Sequence, residues 1–496
     1  MSHAATDPTI DKGPSEPLPG ARTALVLLLS INLFNYLDRY ILAAVLPRVE
    51  DEFLAGDPHA KSKLGWLTTG FLVSYMVFSP VFGWLADRMS RWLLIGIGVI
   101  LWSLASGASG LAETYVVLLT TRLFLGIGEA AYGPAAPTVI ADLYPVKRRG
   151  SVLAWFYMAI PVGSALGYVF GGAMAESSLG WRWAFYLVVL PGILLGAWSL
   201  MMREPRRGAA DAGADAKPAE APHHAGLADY LALARIPSYV LNTLGMTAMT
   251  FAVGGVSVWM PTYIYEREAR FEIGKDTAVE LEKKKLPADI VAVVALSPGK
   301  FDSKPEFEAH LKKVLTQTQY DAHRADIVNT IGTPGLGLIN TIFGGIVVIA
   351  GLTATLAGGL AGDKLRDRMP GSYFLVSGWA MFAGFPLFIA ALWAPMPWAW
   401  GFIFAAVFCL FFNTGPTNTV LANVTKPSVR ASAFALNILI IHMLGDAISP
   451  PIIGYVADHS DLRTGFLVVS GMIVLSGVLW IAGSRHLARD TAAANA

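Results

Sequence analysis

Four ionisable residues interrupt two stretches that otherwise read as lipid-spanning. Asp38 and Arg39 sit in SINLFNYLDRYILAAVLP, and Arg122 and Glu129 sit in VVLLTTRLFLGIGEAAYGP. A charge at the centre of a spanning helix costs about 2.5–3.5 kcal/mol on insertion scales, so four cost on the order of 10 kcal/mol unless they pair or face water. Arginines at that depth can bind an anion, and carboxylates can carry a proton. A proton that neutralises a buried carboxylate frees its arginine partner, so one pair can couple the two events. The plainer alternative is an ion-pair network that only holds helices 1 and 4 together. A network that breaks and re-forms during a transport cycle unites both readings.

Depth groups these residues. Asp38 lies about 24 Å along a first span that starts near Arg22, and Arg122 lies about 10 Å into a fourth span that starts from the opposite face near Tyr115. The two levels nearly coincide in a ~30 Å hydrocarbon core. Glu129 follows Arg122 by two turns on the same helix face. Asn32 and Asn35 share a face with Arg39. His442 and Asp446, in HMLGDAISPPIIGY, enter an eleventh span by about 16 and 22 Å. His442 taken alone reads equally well as a satisfied packing contact. The candidate substrate-binding set is Arg39, Arg122, Asn35 and His442, and the candidate proton-coupling set is Glu129, Asp38 and Asp446. The aromatic residues of span 1 and the tryptophans near span ends read as lipid-facing anchors.

Composition supplies the setting. The 496-residue chain is 54% hydrophobic and 15% charged, with a mean hydropathy of +0.52. Typical soluble proteins are about 25% charged, so this is a membrane composition. The net charge of +1 implies no nucleic-acid partner. The single cysteine, Cys409, excludes intrachain disulfides and a cysteine metal cluster. The polar, Pro- and Gly-rich first twenty residues lack a signal-peptide plan, so the first span is expected to stay in the mature chain. A GxxxxGK[ST] loop, HExxH and GxSxG are all missing from the sequence, which argues against an ATP-driven pump or a membrane hydrolase. The expectation is a non-enzyme without cofactor or metal that works as a monomer among membrane lipids.

Twelve apolar runs are long enough to span a bilayer. The predicted fold class is an all-α membrane protein: twelve transmembrane helices in two pseudo-symmetric six-helix bundles, with both termini cytoplasmic. The expected divisions are an N-terminal tail (1–21), a first bundle (22–202), a linker (203–235), a second bundle (236–485) and a C-terminal tail (486–496). Lys and Arg collect after spans 2, 4, 6, 8 and 10, which puts those loops in the cytoplasm and makes the plasma membrane the expected location (the inner membrane in a Gram-negative cell). Residues 264–328, between spans 7 and 8, are dense in balanced charge and read as a soluble outer insertion. PEFEAHLKKVL has helical periodicity there, with Phe307, Leu311 and Leu315 on one face, so a small helical cap is expected.

The halves repeat. GWLADR (83–88) follows span 2, and GLAGDK (359–364) follows span 8. YGPAAPTVIADLYP ends span 4, and TGPTNTVLANVTKP ends span 10. The near-constant offset indicates a duplicated six-helix unit, and such repeats place a substrate site at mid-membrane between the halves. Gly83 permits close helix approach, and Asp87 with Arg88 and Arg91 can lock a loop. Asp363 is the weaker counterpart. These five form a candidate cytoplasmic gate. A loop that merely obeys the positive-inside rule is the simpler reading, and the second copy argues against it.

GxLADRxxR after span 2, with its echo after span 8, resembles the signature of the major facilitator superfamily. Arg122 followed by Gly126 resembles its span-4 motif, and Gly163, Gly167 and Gly171 resemble its small-residue span-5 motif, with Pro161 upstream in place of the usual Gly-Pro order. NYLDRY (35–40), RLFLGIGEAAYGPAAPTVIADLYP (122–145) and HMLGDAISPPIIGY (442–455) further resemble the Spinster branch. That resemblance implies secondary transport of a lysophospholipid or a sphingosine-phosphate-like lipid. The insertion departs from the branch's usual shorter outer loop. The resulting expectation is alternating access, with Arg39 and Arg122 on an anionic head group and apolar walls on the tail. A carrier of a soluble organic anion or drug, and a non-transporting lipid sensor on the same fold, are the alternatives.

Overall fold

The computed structural model describes residues 16–210, 231–366, 368–426 and 429–495. The far N-terminal tail and the middle of the linker lie outside the described residues. Twelve helices among those described are long and apolar enough to cross a membrane. Spans 1 to 6 cover Ala21–Phe53, Ala60–Ala86, Arg91–Gly110, Tyr115–Leu143, Trp155–Glu176 and Arg182–Leu200. Spans 7 to 12 cover Pro237–Glu268, Leu336–Arg366, Ser372–Trp393, Trp398–Val424, Ala433–His459 and Leu462–Gly483.

Close helix approach rests on small residues, as expected where packing rather than the hydrophobic effect joins helices. A Cβ on Gly163 or Gly167 would fall within 2.6 Å of the Leu33 or Leu37 carbonyl oxygen of span 1. Gly171 would meet Ala44 at 2.8 Å. Span 5 therefore lies directly along span 1. Spans 4 and 10 break at corresponding places, at Gly133–Pro134 and at Phe412–Asn413. Backbone groups freed inside a membrane need internal partners. At the second break Asn413 Nδ2 donates to the Leu410 carbonyl at 2.6 Å, and Thr417 Oγ1 donates to the Asn413 carbonyl at 2.9 Å.

The bundles meet near the insertion, at the end opposite the termini. Gly65 of span 2 abuts Pro451 of span 11, and Gly172 of span 5 abuts Asn340 of span 8. Asn340 Nδ2 donates to the Ala44 carbonyl at 3.2 Å. Two further ties join the faces. Asp458 accepts the backbone N–H groups of Lys61 and Ser62 at 2.8 and 2.9 Å, and Lys61 Nζ bridges Glu50, at 2.6 Å, and Glu266. These ties hold the two bundles together at the insertion end.

Span 7 continues to Glu268, so the folded insertion begins with strand β1 (Arg270–Ile273). β1 pairs antiparallel with β2 (Gly299–Phe301) and β3 (Gly332–Thr333). Four short helices, Thr277–Lys283, Ala288–Ala295, Lys304–Val314 and Gln317–Ile331, complete it. The expected helical cap thus carries a small sheet as well. The alternation of β1, Arg270-Phe271-Glu272-Ile273, is too short to mark a strand. Phe307, Leu311 and Leu315 are buried, and Phe307 stacks on Phe271 of β1 at 4.9 Å.

Although rooted in the second bundle, the insertion grips the first. Lys304 and Arg324 converge on Asp51, and Lys284 reaches the Glu176 carbonyl. Burial opposes the charge on Lys304, but the Asp51 carboxylate, together with Glu308 and Glu50, holds the ammonium above its usual range.

Candidate substrate and coupling site

Span 1 supplies the centre of the site. Arg39 Nη2 and Nε both approach Glu129 Oε2 of span 4, at 2.6 and 2.7 Å. The Glu129 side chain is fully buried, while 19% of the Arg39 side chain is accessible. The guanidinium lies 4.9 Å from the ring centroids of Tyr36 and Phe71 and 5.3 Å from that of Tyr75. Aromatic faces attract a cation over such distances. They hold Arg39 in place on the sides that Glu129 leaves open.

The other two charges take different partners. Asp38 Oδ1 accepts from Ser106 Oγ of span 3 at 2.6 Å, and Arg122 Nη2 donates to Ser109 Oγ at 2.6 Å. Arg122 also lies 5.1 Å from the Phe185 ring centroid. Asp38 Oδ2 and Arg122 Nε are buried without a partner among the described residues. Glu129 Oε1 and Asn35 Nδ2 are in the same position, although buried polar groups are normally satisfied.

Span 11 closes the site from the second bundle. His442 Nδ1 lies 2.9 and 3.0 Å from the two Asp446 oxygens, across a single π-helical turn, His442–Asp446. Such turns interrupt helices often at functional positions. Gly254 of span 7 makes room for it, since a Cβ there would fall 2.6 Å from the Asp446 Cβ.

These residues surround a cavity of about 210 Å³ at the junction of the bundles. Arg39, Arg122, His442 and Asp446 line it with Tyr36, Tyr40 and Ser257, and Leu42, Leu67, Leu72 and Val258 form apolar wall. Glu129, Asp38 and Asn35 stand behind this surface. Asn35 is buried beside Glu129. Asn32 turns away and donates to the Phe156 carbonyl at 2.9 Å. Tyr36 and Tyr40 correct the sequence reading: they face the cavity rather than lipid. Helix facing could not be read from a stretch with so many apolar positions.

The expected gate residues do not bridge the bundles in this conformation. Asp87 Oδ1 is 3.6 Å from Arg207 Nη1, and Arg88 donates to the Trp84 carbonyl at 3.0 Å. Arg91 is buried between Asp142 at 2.5 Å and Glu204 at 2.6 Å. Asp363 accepts from Tyr373 at 2.8 Å. A Cβ on Gly83 would meet only Pro134, at 3.9 Å, so no tight approach exists there. Among the described residues these contacts stay within one bundle or join the first bundle to the start of the linker. Sequence reasoning passed over Asp458, Lys61, Ser106 and Ser109. A lone Asp at a span end and serines in a Gly- and Ala-rich helix have no distinguishing pattern.

Comparison with known proteins fits this geometry. The Major Facilitator Superfamily profile matches residues 28–277. Protein spinster homolog 3 of Danio rerio is 30% identical, over 99% of this chain and 90% of its own length. Protein spinster homolog 1 of Homo sapiens is 34% identical, over 89% and 74%. A crystal structure of a bacterial homolog to the human lysosomal transporter Spinster, inward-facing and unoccupied, superposes with a TM-score of 0.70 at 19% identity, covering 95% of this chain and 98% of that one. The D-xylose-proton symporter gives a TM-score of 0.60 at 18% identity, covering 92% and 96%. Both show the shared fold. The chain is a multi-pass membrane transporter of the Major Facilitator Superfamily. Within that superfamily it belongs to the Spinster family.

Proposed function

We propose that this protein is a proton-coupled carrier of an anionic amphipathic lipid, of the lysophospholipid or sphingosine-phosphate class. The observation that carries this reading is the cavity itself, where two arginines from different helices meet apolar wall at the bundle junction. Its volume of about 210 Å³ is below the ~300–1,000 Å³ of sites that enclose a drug-sized ligand. It accommodates a head group, and a tail would lie beyond it. The carrier works as a monomer by rocking one bundle against the other, in the plasma membrane, with its termini facing the cytoplasm.

Competition during uptake into liposomes tests the substrate class. A lysophospholipid should inhibit uptake of a labelled lysolipid far better than the glycerol phosphate head alone. Each buried methylene contributes ~0.8 kcal/mol, so four give roughly 100-fold. Equal inhibition by the two would assign the site to a soluble organic anion. Binding without any uptake would make the protein a sensor.

The gate belongs to the same proposal. Asp87 is 72% exposed and its pair with Arg207 is long, and exposed pairs of this kind contribute little to stability. Asp87→Asn should therefore leave the melting temperature and substrate affinity unchanged while slowing turnover, because the interaction it removes forms only when the cytoplasmic end closes. Uptake at the parental rate would remove Asp87 from the gate.

A further inference from the structure

A second cavity, of about 440 Å³, lies within the second bundle, between spans 8, 9 and 10. Leu365, Val376, Trp379, Phe408 and Phe412 line it. Span 9 packs on spans 8, 10 and 12 of its own bundle, so this groove opens on the lipid-facing side rather than into the transport pathway. Trp379 is 65% exposed at its edge. The volume is in the ~300–1,000 Å³ range of small-molecule sites, and the walls are almost wholly apolar.

The mouth of the groove is basic. Ala361, Leu365 and Met369 line it from span 8 and the turn that follows. Lys364 follows Ala361 by three residues on the same helix, which ends at Arg366, and Arg368 lies in the turn beyond it, next to Met369, with its N–H on the Leu365 carbonyl at 3.1 Å. Lys364, Arg366 and Arg368 are all exposed. Of the two acidic residues in this segment, Asp363 is engaged by the Tyr373 hydroxyl, and Asp367 lies outside the described residues. An apolar slot that ends in a cluster of cations at a membrane boundary is complementary to one kind of molecule, an anionic phospholipid. Its acyl chain fills the slot, and its phosphate meets the cations.

We infer that the groove between spans 8, 9 and 10 is a binding site for an anionic membrane phospholipid, separate from the transported substrate. The zwitterionic neighbours in the same leaflet lack the net charge that Lys364 and Arg368 select.

Photo-crosslinking in nanodiscs tests this with the full-length protein. Diazirine-tailed phosphatidylglycerol or phosphatidylcholine is incorporated, and adducts are mapped by peptide mass spectrometry. Phosphatidylglycerol adducts should concentrate on peptides that contain Leu365, Trp379 and Phe408, and should exceed those of phosphatidylcholine. Lys364→Gln with Arg368→Gln should reduce them by roughly five-fold per charge. The charge-conserving pair, Lys364→Arg with Arg368→Lys, should keep them, which separates lost charge from a disturbed fold. Arg203→Gln with Arg206→Gln, on the first bundle, should have no effect at the groove. Equal labelling by the two lipids, an unchanged yield in the glutamine pair, or an equal loss in the Arg203/Arg206 control would each overturn the inference.

Discussion

Glu129→Gln is expected to abolish accumulation of substrate on a proton gradient while preserving exchange of bound substrate across the membrane. The geometry makes this the most informative single substitution. Glu129 is fully buried, and its Oε2 atom receives both Arg39 nitrogens. Arg39, unlike Glu129, lines the cavity. One guanidinium thus stands between the carboxylate and the place where an anion would sit. When Glu129 is ionised it holds Arg39. When it is protonated, Arg39 is free to take a substrate anion. Glutamine mimics the protonated state in shape and keeps an amide oxygen toward Arg39, so the variant should bind substrate without needing a proton.

A purely structural pair predicts a different result. Removing one partner of a buried ion pair costs about 3–5 kcal/mol, which would lower melting temperature and expression together. Uptake, exchange and thermal melting of the purified variant decide between these. A well-folded Glu129→Gln protein that still concentrates substrate on a pH gradient would eliminate Glu129 as the coupling group. Asp38, buried next to Arg39 on span 1, would then be the carboxylate to test.

The sequence exposed the charges but not all of their partners. An ion pair between spans 1 and 4 was among the readings, and Arg39–Glu129 is such a pair, but that Arg122 would turn to Ser109 was not visible. Helical periodicity sets which residues share a face. It does not set the rotation of one helix against the next, and that rotation chose these partners. The span 4 break falls on its Gly133–Pro134 step, where proline cannot donate to the helical ladder, whereas span 10 breaks at Phe412–Asn413, ahead of its Gly415–Pro416 step. The glycines of span 5 were legible as packing residues because nothing larger fits against the span 1 backbone. The insertion was visible as a break in composition, but its three strands were not, because strands of two to four residues are too short for alternation to stand out. The ties across the insertion end were least legible of all. Asp458 and Lys61 are far apart in sequence, and each alone is an ordinary charge at a span end.

Those ties support the second large effect. Asp458→Ala is expected to shift the protein toward the state open at the insertion end. Asp458 belongs to span 11 in the second bundle. Its carboxylate accepts the backbone N–H groups of Lys61 and Ser62 at 2.8 and 2.9 Å, and also the Ser62 hydroxyl. Those N–H groups begin span 2 in the first bundle, where unpaired donors and the helix dipole favour an anion. The lock must come apart whenever the bundles separate at this end. Hydrogen bonds to a charged group contribute about 1.5–3 kcal/mol each, and 1.4 kcal/mol is tenfold in an equilibrium, so losing this carboxylate should raise the minor open state at least tenfold. Asp458→Asn keeps one acceptor oxygen and gives up the charge, so its shift should be smaller. Thr68→Cys, placed in the cavity wall on a Cys409→Ala background, reports the change through its labelling rate by an impermeant maleimide supplied from the insertion side. The predicted order of rates is Asp458→Ala above Asp458→Asn above the parent. Identical rates in all three would show that Asp458 caps span 2 without holding the bundles together, and would leave closure of this end to Lys61, Glu50 and Glu266 and to the grip of Lys304 and Arg324 on Asp51.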